Sequence, residues 1–379
     1  MRRLVVAPDK FKGALDAAAV AAALSRGFVE GFGEQIEVRA VPMADGGEGT
    51  VDAFVAAGAQ RVTRRVRGPL GDPVEAAFAL DGTTAIVEMA AASGLELVPR
   101  ARRDPMGAST YGTGELIRGA LDGGARRFVV GIGGSATNDG GAGMLQALGA
   151  RFLDANGDEL APGGAALARL EHVDLNALDP GLRDARIEVA SDVDNPLCGP
   201  SGASVVFGPQ KGASSDDVAT LDKALAHFAD VTASETGADH RNDPGAGAAG
   251  GVGFGLIAYL RATLRPGVEI VAELRGLNEA LDGAAICLTG EGAIDAQTLH
   301  GKTVAGVARL ARARGVGLVI AFGGALEPDA SIALAELGVV AVPISERPAT
   351  LAEAVAQTEG LLERAAARAA RLVRAGERL

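Results

Sequence analysis

Short apolar, β-branched runs that stop at glycine-rich polar loops recur along this chain. Leu4–Ala7 ends at P-D-K-F-K-G (8–13), Ile36–Pro42 leads into M-A-D-G-G-E-G-T (43–50), and Phe128–Ile132 leads into G-G-S-A-T-N-D-G-G-A-G (133–143). Ile187–Ala190 precedes S-D-V-D-N-P (191–196), and Ala284–Leu288 precedes T-G-E-G-A-I-D (289–295). Runs this short and this apolar read as buried strands. Helical periodicity follows: Asp16 can cap a helix on which Val20, Leu24 and Phe28 recur at helical spacing. Strands alternating with helices imply an α/β fold. The 54 glycines gather in clusters, so they mark tight turns and not disorder.

A chain of 379 residues is too long for one ordinary core, so two domains are expected. The far end repeats the α/β texture, with a helix at 303–313 and strands at 316–322 and 339–342. Thr350 and Glu353 form a capping box for a last helix, on which Leu351, Val355, Leu362, Ala366, Ala369 and Val373 predict one apolar stripe. Its many arginines read as a solvated face. The middle differs. Runs at 61–66, 74–80 and 85–88, with turns at G-P-L-G-D-P and D-G, have hairpin texture. Helices are expected near 113–122, 140–148, 216–229 and 252–264, with strands at 127–132 and 186–191. The expected division is one α/β domain from residues 1–60 and 280–379, with a second, mixed α/β domain (61–279) inserted between them.

Several classes of function are disfavoured. A net charge of −12 with no basic stripe argues against nucleic-acid binding. No run approaches a membrane span, and the opening M-R-R-L-V-V-A-P-D turns polar too soon for a signal peptide, so a soluble, cytoplasmic protein is expected. Cys198 and Cys287 make no disulfide framework and have no histidines at metal-ligand spacing; Cys287 reads as a buried strand residue. G-A-G-A-A-G (245–250), with Glu269 beyond it, matches the dinucleotide fingerprint, but the preceding A-D-H-R-N-D-P cannot be the required strand. An NAD-dependent hydroxy-acid oxidoreductase rests on those glycines alone. G-K-T (301–303) resembles the end of a P-loop, yet the required first glycine is Ala296.

The chemistry concentrates in three kinds of loop. Gly131, Gly133 and Gly134, followed by Ser135, Thr137, Asn138 and Asp139 and then a helix, suit a backbone nest for an oxyanion. Asp45, Asp192, Asp194, Glu291 and Asp295 lie in loops just after strands, where open parallel sheets bind ligands. Carboxylates beside phosphate loops suit Mg²⁺, which takes one or two of them plus phosphate oxygens. The third kind holds lysine. Only five occur in the chain, against thirty-one arginines, and Lys10, Lys12, Lys211 and Lys302 sit in glycine-flanked loops that suit a compact ammonium facing an oxyanion. Together these point to phosphoryl transfer. A non-catalytic nucleotide- or metabolite-binding regulator fits the loops but not the surplus of carboxylates.

A-P-D-K-F-K-G, M-A-D-G-G-E-G-T, G-T-G-E-L-I, G-I-G-G-S-A-T-N-D-G-G-A-G, S-D-V-D-N-P-L-C-G-P, G-P-Q-K-G and L-T-G-E-G-A-I-D-x-Q-T-x-x-G-K-T, in this order from residue 7 to 303, resemble the bacterial type I glycerate kinases. The resemblance implies ATP-dependent phosphorylation of D-glycerate, at the 2-hydroxyl and with the 3-hydroxyl as the alternative. It also implies a two-domain fold, one domain Rossmann-like, with the active site in the cleft between them. From loop position and residue chemistry, Asp192 is expected as the base, and Lys10 and Lys12 as catalytic cations. Gly131, Gly133, Gly134, Ser135, Thr137, Asn138 and Lys302 are expected to hold the phosphates of ATP. Asp194 and Lys211 would bind substrate, and Asp45, Glu291 and Asp295 would hold Mg²⁺.

Overall fold

The computed structural model describes residues 2–33, 36–299 and 302–376. His300 and Gly301 of the H-G-K-T segment lie outside the described residues. In chain order the strands are β1 (Arg2–Val6), β2 (Ile36–Ala40), β3 (Gln60–Arg67), β4 (Pro73–Asp81), β5 (Thr84–Glu88), β6 (Arg127–Gly131) and β7 (Arg151–Leu153). They continue with β8 (His172–Asp174), β9 (Arg186–Ala190), β10 (Thr263–Arg265), β11 (Ile286–Ile294), β12 (Leu318–Leu326) and β13 (Val339–Pro343). The chain forms two compact units, named by their order along the chain: the outer unit, Met1–Asp45 with Pro266–Leu379, and the inner unit, Gly46–Arg265.

The unit built from both chain ends holds a five-stranded sheet in the order β13-β12-β11-β1-β2, and every pairing is parallel. Leu4, Val6, Leu288, Ile320 and Phe322 form its buried core with the helix Ala17–Phe32 and the last helix. Asp16 caps the first of these helices by accepting from the Ala19 amide, and Gly33 ends it in the left-handed conformation. Strand order reverses between β1 and β11: the chain moves outward from β1 to β2 on one side, and β11 to β13 fill the other. That is where an open parallel sheet leaves a crevice at its carboxyl edge.

The expected continuous final helix is two helices, Leu351–Ala356 and Thr358–Gly376, broken at Gln357 (φ −109°, ψ 6°). The Thr350–Glu353 capping box forms, but Leu351 is 80% exposed, so the apolar stripe begins only in the second helix. There Leu362, Ala366 and Ala369 are buried, while Arg364 and Arg368 pair with Glu346 on the solvent side.

The other unit holds a six-stranded mixed sheet in the order β10-β9-β6-β5-β4-β3. β3, β4 and β5 form the antiparallel hairpins, and β5, β6, β9 and β10 run parallel. Phe128, Phe152, Phe228, Phe254 and Tyr259 anchor its core, with Phe228 stacked on Tyr259 and edge-on to Phe254. The unit limits fall at 45/46 and 265/266, not at 60 and 280. The helix Thr50–Ala56 packs on β4 and β5. The helix Gly267–Leu274 joins the outer unit, where Val268 presses against Gly306. A helix over 252–264 is also shorter than expected: it ends at Leu260, and Thr263–Arg265 pair with β9 as a strand.

Candidate active site

In the outer unit, acids collect at the carboxyl ends of β1, β2 and β11. Asp9 follows β1, and its amide donates to the carbonyl of Gly290 in β11 (2.8 Å). Thr303, the first residue of the helix Thr303–Ala313, donates its hydroxyl to Asp9 Oδ2 (2.5 Å), and the Lys10 amide donates to Asp9 Oδ1 (2.7 Å). Glu291 lies within β11, 8% exposed, and accepts from the Thr298 hydroxyl (2.6 Å). Asp295 follows the strand, bonds the Thr298 amide through Oδ1 (3.2 Å), and has Lys302 Nζ at 3.8 Å.

The electrostatics are those of a site short of positive charge. Burial pushes the Asp9 carboxyl up to about 6, and the neighbouring Asp45 pushes in the same direction against the bonds from Thr303 and Lys10. Burial likewise pushes Glu291 up to about 7; the Thr298 bond and Lys302 oppose this, and Asp9 and Asp295 add to it. Carboxylates raised by burial and mutual repulsion favour a cation. Yet among the described residues no three His, Cys, Asp or Glu side chains are grouped to hold a metal. The expected trio Asp45, Glu291 and Asp295 is therefore not assembled as one cage. The donor set fits a hard ion that uses one or two carboxylates and takes its remaining oxygens from phosphate and water.

Lys10 and Lys302 border this cluster and are partly buried, whereas Lys12 is exposed. Lys302 is the N-cap residue of the helix Thr303–Ala313, so its ammonium adds to the positive end of the helix. Sequence reasoning took the lysines of A-P-D-K-F-K-G and passed over Asp9 just before them. The signal was present, because Asp9 follows a strand as the other selected acids do.

In the inner unit the glycine loop after β6 has the expected open amides. Gly133 and Gly134 are exposed, Gly134 is left-handed (φ 73°), and a side chain at Gly133 would meet open space. Among the described residues the amides of Gly133, Gly134 and Ser135 donate to no group of the chain. The loop is strapped on either side, by Leu95 N to Gly134 O (2.8 Å) and Ala136 N to Ser93 O (2.9 Å). Gly131 serves packing: an added Cβ would lie 1.8 Å from the Gly46 carbonyl oxygen.

Beyond Ser135 the loop turns inward. Thr137, Asn138 and Asp139 are buried. Asp139 accepts from the amide and hydroxyl of Thr110 (2.8 Å each) and the amides of Gly141 (3.2 Å) and Gly143 (3.3 Å). It is the internal clamp of the loop, and burial raises its carboxyl despite those bonds. Lys211 is 1% exposed, donates from Nζ to the Thr137 carbonyl (2.6 Å), and is pushed down to about 7 by burial, with Asp139 opposing. It underpins the loop instead of offering an ammonium at the surface. Asp192 and Asp194 follow β9 in an exposed loop whose turn is closed by the Val193 amide donating to the Ser191 hydroxyl (3.3 Å).

The G-A-G-A-A-G glycines have a packing role. A side chain at Gly250 would lie 2.1 Å from the Thr137 carbonyl oxygen, and one at Gly247 would lie 2.1 Å from that of Pro196. They let the helix start press against the phosphate-type loop and the Asp194 loop.

Strand-end carboxylates with lysine in one unit, and an open-amide glycine loop in the other, suit a phosphotransferase. The model of the glycerate kinase family matches residues 4–374. Glycerate kinase from Bacillus subtilis (strain 168) is 51% identical over 332 residues, 87% of this chain and 86% of that protein. Glycerate 2-kinase from Escherichia coli (strain K12) is 52% identical over 314 residues, 82% of each. A crystal structure of a candidate glycerate kinase 2 from Salmonella typhimurium LT2 superposes with a TM-score of 0.89 at 44% identity and covers 100% of both chains. The chain belongs to the glycerate kinase family. No described helix is long and apolar enough to cross a membrane.

Proposed function

We propose that this protein transfers the terminal phosphoryl group of ATP to the 2-hydroxyl of D-glycerate, giving 2-phosphoglycerate and ADP. The observation that carries this reading is the pairing of Asp9 and Glu291, raised to about 6 and about 7, at the carboxyl ends of adjacent parallel strands beside Lys302. Such a cluster is complete only with a cation and the anion it brings.

Asp9, Asp45, Glu291 and Asp295 would supply the one or two carboxylates that hold Mg²⁺. When bound, the ion neutralises charge on the transferring phosphate. Lys10, Lys12 and Lys302 neutralise the equatorial oxygens or the glycerate carboxylate. The amides of Gly133, Gly134 and Ser135 bind phosphate oxygens. Asp192 accepts the proton of the 2-hydroxyl as its oxygen bonds to the terminal phosphorus and the bond to the ADP oxygen breaks.

The likeness to a protein described as glycerate 2-kinase, 52% identical, favours the 2-position over the 3-position. Phosphorus NMR of the product from ATP and D-glycerate is the test. The 2-phosphate is expected; the 3-phosphate, or ATP unconsumed in the presence of glycerate, overturns the reading. Asp192→Asn is expected to lower kcat by about 10²–10⁴ with folding intact. A near-normal kcat removes Asp192 from the chemistry.

A further inference from the structure

The amino-terminal ends of β9 and β10 border a cavity of about 430 Å³ that the phosphoryl-transfer reading does not use. Arg186 and Ile187 open β9 and Thr263 opens β10, whereas Asp192 and the glycine loop lie past the opposite, carboxyl ends of this sheet. The length of β9 separates the two by about 13 Å.

The cavity has the make-up of a binding site. Its floor is apolar, with Leu182 6%, Tyr259 9% and Leu260 6% exposed. Its rim carries the guanidinium groups of Arg183, Arg186 and Arg261. Arg186 pairs with Glu188 (3.0 Å). Among the described residues Arg183 and Arg261 have neither a carboxylate partner nor a side-chain hydrogen bond. That is notable in a chain where acids outnumber bases 48 to 36.

Arg261 adds an independent observation. It ends the helix Ala248–Leu260 in the left-handed conformation (φ 54°, ψ 33°), where glycine is the usual residue. Only two non-glycine residues among those described have positive φ. An arginine kept where glycine fits without strain points to a use for its side chain.

We propose that this cavity binds an organic phosphate whose apolar body rests on Leu182, Tyr259 and Leu260 and whose phosphate is gripped by Arg183 and Arg261. A planar guanidinium presents paired donors that match phosphate oxygens. The ligand class combines a dianionic head with an apolar body of a few carbons or one or two fused rings.

The test is titration of the full-length protein with 1-naphthyl phosphate, read by ligand fluorescence, with saturating ATP and glycerate present as competitors for the catalytic cluster. One saturable site is expected that ATP and glycerate do not displace. Arg183→Ala and Arg261→Gly should each weaken it at least tenfold while leaving kcat unchanged and Tm no lower than that of the wild type. Arg261→Gly relieves the left-handed strain, so it is a variant that folds. Inorganic phosphate should bind at least tenfold more weakly than the naphthyl ester. Absence of a saturable site, full displacement by ATP and glycerate, or unchanged binding in the double variant would overturn the proposal.

Discussion

Thr303 donates its hydroxyl to Asp9 across 2.5 Å, joining residues 294 apart in sequence. The bond ties the first turn of a helix to the loop after β1, and so sets the helix end, Lys302 and the raised carboxylate in one place. Asp9 also bonds Gly290 in β11 through its amide, which makes it the point where the two strands flanking the reversal in strand order meet.

Asp9→Asn separates stability from activity. Asp9 has its folded pKa raised from 3.8 to about 6. For an acid shifted this way the stabilising contribution is complete below the unfolded value and is lost as pH rises through the folded one. At pH 8 the folded protein therefore carries a largely buried charge that asparagine removes while still accepting from Thr303; the part-buried Lys10 amide loses its acceptor, a smaller cost than the charge removed. The variant should gain on the order of 2 kcal/mol in urea unfolding at pH 8, shrinking toward pH 4. Its kcat/KM should fall by about 10² or more. A loss of stability at pH 8, or an unchanged kcat/KM, would remove Asp9 from the cluster.

Much of this was legible in the residues, and most of the failures share a cause. The strands before P-D-K-F-K-G and S-D-V-D-N-P were readable because apolar runs and breakers are local signals, whereas T-G-E-G-A-I, read as a loop, continues β11 to Ile294 paired with β12. The open amides at Gly133 and Gly134 followed from glycine and helix spacing in the same segment. What could not be read depends on partners far along the chain. Gly131 is glycine because the Gly46 carbonyl approaches it, and Gly250 because Thr137 does. Lys211 resembles a loop cation in sequence, but its ammonium is buried under a carbonyl 74 residues away. The final helix failed for a local reason: Gln357 leaves helical geometry without a proline or glycine to announce it.

Asp139 should be structural in a way that asparagine cannot imitate. All of its bonds in the structure are accepted ones, from Thr110, Gly141 and Gly143. Asparagine would turn an amino group toward buried donors and leave some of them unsatisfied. Asp139→Asn is expected to cost about 2–4 kcal/mol, with kinase activity lost alongside it as the glycine loop loosens. Thr110→Val, which removes one donor and the acceptor used by the Met144 amide (2.8 Å), should cost less. Urea unfolding of both variants decides the order; wild-type stability in Asp139→Asn would show that the loop is held by other means.

Lys211 predicts a pH dependence of opposite origin. Burial lowers its pKa from 10.5 to about 7. For a base shifted downward, the stabilising contribution is present above the unfolded value and is lost as pH falls through the folded one. From pH 9 to pH 7 the wild type should lose about 2 kcal/mol relative to Lys211→Met, whose side chain fills the same space without a charge. The comparison with the variant cancels other groups in that range, including Cys287, which burial pushes up to about 12. Parallel stability curves for the two proteins between pH 7 and 9 would show that Lys211 stays charged and paired.

Gly27 and Gly31 bring the helix Ala17–Phe32 against the helix Thr358–Gly376. A Cβ at Gly27 would lie 2.0 Å from the Glu363 carbonyl oxygen, and one at Gly31 would lie 2.3 Å from that of Ala367. Two effects compete on replacing either with alanine. Helix propensity favours alanine by about 1 kcal/mol. The clash is with backbone, which cannot rotate away, so the helices must separate and lose core contact. Overpacking should win, with a net loss of about 1–3 kcal/mol for each variant. Gly360 is the control, because its nearest obstacle is the flexible end of Arg364 at 3.0 Å. There alanine should be neutral or stabilise by up to about 1 kcal/mol. Urea midpoints that rise at all three positions would mean that the two helices are free to move apart at little cost.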